Sequence, residues 1–110
     1  MACKVIVTER ADELIEKLFV YLMRKIKNPD AAVHFLDELD KIYTRLEENP
    51  YQFHESLDDY LKSRGYREAH FREMQYHLVF RVEENSVYIV GVFHDLENYT
   101  GKVKEDVKQN

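Results

Sequence analysis

The sequence predicts a small single α+β domain over residues 1–110. An N-terminal strand leads into a two-helix hairpin that packs on a mainly antiparallel sheet. Three observations carry this reading. Apolar residues recur at spacings of three and four in two stretches on either side of Asn28-Pro29, which is the period of a one-sided helix. Tyr76, Leu78, Phe80 and Val82 alternate with His77, Val79 and Arg81, the period of a strand. Val87 to Phe93 is apolar at nearly every position, as in a strand covered on both faces.

Val5, Ile6 and Val7 are β-branched and stop at Thr8, so a short strand should feed a helix capped by the Thr8 side-chain oxygen. Ala11, Leu14, Ile15, Leu18, Phe19, Leu22 and Ile26 then fall on one helical face. Asp12 and Glu13 at its start, and Arg24, Lys25 and Lys27 at its end, complement the helix dipole. Asn28-Pro29-Asp30 breaks and restarts the helix, because Asn caps and Pro fits the first turn. Ala32, Phe35, Leu36, Leu39, Ile42, Tyr43 and Leu46 form the second stripe, and Asn49-Pro50 ends it.

Residues 51–65 have no period and read as a loop with a short helix, tacked over the core by Tyr51, Phe53, Leu57 and Leu61. Glu83 to Ser86 supplies the turn between two strands. The second of these, Val87 to Phe93, should be central, with helices on one side and something else, such as a partner, on the other. The segment 101–110, GKVKEDVKQN, reads as a flexible or briefly helical tail.

With 110 residues, 45% of them hydrophobic, the chain can build one core and not two. No apolar run reaches the roughly 18 to 20 residues of a membrane span, and a soluble, cytoplasmic protein is expected. Cys3 stands alone, so neither an internal disulfide nor cysteine zinc spacing is available, and no metal or cofactor is expected. The net charge of -5 argues against a surface that tracks nucleic acid throughout. Between Lys62 and Arg81, however, five basic residues face two acidic ones, whereas between Glu9 and Glu48 ten acidic residues face seven basic ones. The sheet side should therefore attract phosphate more than the helical side.

The stretch Tyr66-Arg67, Tyr76-His77-Leu78-Val79-Phe80-Arg81-Val82, Glu84-Asn85, Val87 to Phe93 and Phe93-His94 resembles the C-terminal half of RelE/ParE-type toxins of bacterial toxin-antitoxin pairs. The strand and two helices before it follow the same family's order. The resemblance implies the toxin of a type II toxin-antitoxin (plasmid-stabilisation) module, bound by a cognate antitoxin, with a homodimer also compatible. It implies ribosome-dependent cleavage of messenger RNA by an mRNA interferase; the alternatives are a ParE-like inhibitor of DNA gyrase without nuclease activity, or an inactive toxin-derived binding protein.

Cleavage through the 2'-hydroxyl needs a group that activates it, a cation on the phosphate and an acid for the leaving oxygen. The candidate catalytic residues are His77, Arg67, His70 and His94, with Arg72, Arg81 and Tyr99 as substrate contacts. His77 stands where nuclease members commonly carry a phosphate-holding arginine, and His70 where they carry a lysine. Imidazoles can shuttle protons near neutral pH, and three of them on one sheet face would form an acid-base group. Arg67 could instead pair with a helix acid such as Glu38 or Glu47, His94 could anchor the sheet corner, and Tyr99 could stack on a base. Asp95 and Glu97 lie where many relatives have an arginine, and their charges oppose phosphate binding unless they point away or one serves as a general base.

Overall fold

The computed structural model describes residues 2–97, 99 and 101–103. Strand β1 (Lys4–Val7) runs into helix α1 (Glu9–Val20), whose first turn is capped by Thr8 Oγ1 accepting from the Ala11 N–H at 3.2 Å. The helix continues as a π-helical turn, Tyr21–Lys25, in which the Ile26 N–H reaches the Tyr21 carbonyl. Lys27 closes it in the left-handed region (φ 57°), and the Asn28 N–H returns to the Leu22 carbonyl, which satisfies a helix-end acceptor. Asn28 then caps α2 (Pro29–Glu48), as its place before Pro29 predicts.

After a 3₁₀ turn (Pro50–Gln52) and the short α3 (Asp59–Ser63), three strands follow: β2 (Tyr66–His70), β3 (Tyr76–Glu83) and β4 (Ser86–His94). Among the described residues they form one sheet with β1, in the order β1-β4-β3-β2. β4 is antiparallel to β3 and parallel to β1, and β3 is antiparallel to β2. The central place expected for Val87 to Phe93 is therefore observed. The α+β class and the antiparallel-dominated sheet are observed with it.

One sheet face carries Ala69, Tyr76, Leu78, Phe80, Val87, Ile89 and Val92, buried with Phe35, Leu39, Ile42 and Leu46 of α2. Each Val, Leu, Ile or Phe among them contributes about 1.5–3 kcal/mol when fully removed from water. The opposite face carries Tyr66, Val79 and Phe93, buried with Leu61 of α3 and Val103. The second cover of β4 thus comes from the chain itself. Val103 lies inside the segment read as a tail, and residues 104–110 lie outside the described residues.

Gly91 allows this packing. A Cβ there would stand 2.6 Å from the Phe93 ring and 3.0 Å from Leu14 Cδ1, so only glycine lets the ring fold back along its own strand while α1 approaches.

Some side chains of the predicted stripes are outside. Ile26 of the first stripe and Leu36 of the second are exposed, as are Tyr51 and Leu57 of the loop, whereas Phe53 and Leu61 are buried as expected. The π-helical turn offsets the residues after Val20 from the 3.6-residue register that the stripe assumed.

Candidate functional site

Cross-strand register decides which of the candidate residues meet. His70 pairs with His77, and His77 with Phe93, so these three share the sheet face away from α2. Glu68, two residues before His70, points the same way and pairs with Val79. His94 pairs with Tyr76 and so falls on the other face. The expected convergence of three histidines is corrected to two, because His94 follows Phe93 by one residue and strand parity reverses it.

His77 is only 3% exposed and lies between two carboxylates. Its Nδ1 donates to Asp95 Oδ1 at 2.9 Å, since a carboxylate can only accept. Its Nε2 lies 4.0 Å from Glu68 Oε1 and has no hydrogen-bond partner among the described residues. Tyr99 closes the other side, with its ring centroid 4.6 Å from that of His77 and 5.6 Å from that of Phe93. Its hydroxyl bonds to Glu68 and Ser56, and burial, then the Glu68 carboxylate, push its pKa well above the ordinary tyrosine value. The Tyr99 hydroxyl is thereby held as a protonated donor on this sheet face.

His70 is the exposed member. Its ring stacks on His54 with centroids 5.3 Å apart, and its Nδ1 lies 3.9 Å from Asp95 Oδ1. His54 gets there because residues 54–56 run along the free edge of β2: the Glu68 N–H donates to the His54 carbonyl at 3.1 Å and the Ser56 N–H to the Tyr66 carbonyl at 2.9 Å. Glu68, His54 and Ser56 join Asp95 in the constellation, and sequence reasoning missed these three as members. Parity with His70 was a usable signal for Glu68; for His54, with no contact closer in sequence, there was none.

The arginines disperse. Arg67 lies on the α2 side of the sheet, where it donates to the Phe53 carbonyl at 2.7 Å, approaches Glu55 at 3.8 Å and lies over the Tyr51 ring. Its carboxylate partner is Glu55 and not Glu38 or Glu47, because residues 51–55 cover the end of β2 where the helix acids do not reach. Arg81 pairs with Glu83 and lies 4.3 Å over the Tyr88 ring. It is four residues from His77 along β3, roughly 13 Å at the strand rise.

At Arg72 the backbone is engaged at both ends. Its N–H donates to Glu38 Oε1 at 2.8 Å and its carbonyl accepts from His34 Nε2 at 3.0 Å. Burial works to raise the Glu38 carboxyl, but that N–H and the Lys41 ammonium outweigh it and hold the group below its ordinary 4.5. His94 Nδ1 accepts from the Leu96 N–H at 3.1 Å, and its backbone N–H reaches Glu97. It anchors the corner after β4, and Glu97 also pairs with Lys102.

A strand and two helices on a four-stranded mixed sheet, with an aromatic-basic hairpin and a histidine corner, define a small α+β domain. The family model of the ParE toxin of the type II toxin-antitoxin system parDE matches residues 5–99, and the chain belongs to that family. Its fold is similar to that in the chromosomal ParDE toxin-antitoxin system from P. aeruginosa, with a TM-score of 0.67 and 14% identity over 84% of this chain and 96% of that one. It is also similar to a chain of the toxin-antitoxin complex RelBE2 from Mycobacterium tuberculosis, with a TM-score of 0.58 and 18% identity over 86% of this chain and 99% of that one. No curated protein matches it by sequence. No helix among the described residues is long and apolar enough to cross a membrane.

Proposed function

We propose that this ParE-family chain is the toxin half of a type II toxin-antitoxin pair that arrests growth by binding DNA gyrase, without cleaving RNA. The observation that carries this reading is the state of His77, 3% exposed and placed between Asp95 and Glu68. A general acid or base must come within hydrogen-bond reach of the proton it moves, and a cation must stand at the phosphate. Here the buried imidazole already serves Asp95, the surrounding charges are carboxylates, and Arg67 and His94 belong to the opposite face. Target inhibition by surface complementarity needs no such reacting group.

The antitoxin reading draws on a second region. Val20, Tyr21, Met23, Ile26, Val33 and Leu36, all in the helical hairpin, are between 38% and 57% exposed. Apolar side chains of this kind suit the apolar face of an amphipathic partner segment.

The test is DNA supercoiling by purified gyrase with rising amounts of the purified toxin, alongside growth after induction in cells. Inhibited supercoiling and arrested growth, both relieved by the product of the neighbouring antitoxin frame, are the expected outcome. Arrested growth with full gyrase activity would overturn the gyrase assignment, and unaffected growth at strong induction would overturn the toxin assignment.

A further inference from the structure

His54, Glu68 and His70 each offer a ligand atom, and these atoms lie within 4.8 Å of one another. The three residues come from two segments locked together by backbone bonds, Glu68 N–H to the His54 carbonyl and Ser56 N–H to the Tyr66 carbonyl. The His54 Nδ1 lies 2.8 Å from the Glu55 carbonyl. A carbonyl only accepts, so Nδ1 carries the proton and Nε2 keeps its lone pair. The His70 Nδ1 lies 3.9 Å from Asp95 Oδ1, an ion-pair distance.

The independent pointer is Glu68. It is 4% exposed, and its Oε2 has no hydrogen-bond partner among the described residues. Leaving a buried carboxylate oxygen unpaired is costly. The neighbouring cations Lys62 and Arg67 pair with Glu55. His54 and His70 are both exposed, so their imidazoles are open to an ion from solvent.

We infer that His54, Glu68 and His70 bind one divalent transition-metal ion of the zinc class at the outer edge of β2, where residues 54–56 run along it. Two imidazoles and one carboxylate suit zinc, nickel or copper and disfavour magnesium or calcium, which take oxygen ligands. Three protein ligands leave a position for water. This inference is independent of whether the target is gyrase or RNA, since it concerns a site whose occupancy is read directly.

The experiment is calorimetric titration of zinc chloride into the full-length, tag-free, chelator-treated chain at pH 7.5, repeated at pH 5.5. One ion per chain is expected, with binding weaker at pH 5.5 because protons compete for the imidazoles. His54→Ala, His70→Ala and Glu68→Gln should each weaken binding by about 10-fold or more, and zinc should raise the Tm of the wild type but not of the His54→Ala/His70→Ala pair. His34→Ala, which alters a histidine engaged with the Arg72 carbonyl, should leave binding unchanged. Both histidines of the site are exposed, so their variants should fold, and an unchanged circular dichroism spectrum verifies it. Absence of binding, or binding insensitive to His54→Ala and His70→Ala, overturns the inference.

Discussion

The two faces of the sheet are held by different physics. On the α2 face, Phe35, Leu46, Leu78, Phe80 and Ile89 are fully buried and apolar, and stability there follows the area removed from water. On the other face Val79, Phe93 and Val103 surround His77, Glu68 and Tyr99, and stability depends on polar groups finding partners. A hydrogen bond there contributes about 0.5–1.5 kcal/mol net, whereas an orphaned group costs about 1–3 kcal/mol. The first face tolerates conservative change in shape, and the second is sensitive to the identity of single atoms. That contrast underlies the functional reading, because a buried imidazole already bonded to Asp95 is held away from a substrate.

The contrast is broken most severely from the apolar side. Phe35→Ala removes a fully buried ring that stacks near Phe71 and meets Tyr76 edge-on. A loss of about 3–5 kcal/mol is expected in urea unfolding, and a loss below about 1 kcal/mol would mean that α2 does not hold the core in this way. Gly91→Ala attacks the other face, where the added methyl meets the Phe93 ring and Leu14. A destabilisation of about 1–3 kcal/mol is expected from overpacking, read as a lower Tm; an unchanged Tm would show that Phe93 can swing away.

The smallest effect concerns the polar clamp on the helix side. Glu38 has its carboxyl held below the ordinary value, against burial, by the Arg72 N–H and Lys41. A depressed carboxylate contributes stability above its unfolded pKa, near 4.5, and loses it as pH falls through the folded value. Glu38→Gln should therefore cost on the order of 1 kcal/mol at pH 7, and the gap from wild type should close as the pH drops below 4.5. A gap of constant size from pH 7 to pH 3 would contradict the assignment.

The first face was legible in the sequence because its residues recur at fixed periods. The stripes at 32–46 and 76–82, the Thr8 and Asn28 caps and the turn at Glu84-Asn85 all follow from local chemistry. The second face was legible only in part. His70 and His77 were singled out, but His54, Glu68 and Asp95 join them through strand register and through a loop laid along β2. No local period encodes such a meeting. Parity alone was enough to separate His94 from His77 once β3 and β4 were aligned, and the alignment itself depends on a bulge between Val79 and Phe80 that shifts the register by one residue.

The central claim is that His77, buried and bonded to Asp95, serves no nuclease chemistry. Ribosome-dependent cleavage of messenger RNA, measured with purified wild-type toxin and His77→Ala at concentrations that inhibit gyrase, tests it most directly. The account predicts no cleavage by either protein. Cleavage by the wild type that His77→Ala lowers by about 100-fold, the scale of losing one acid-base group, with little change in Tm, would contradict it.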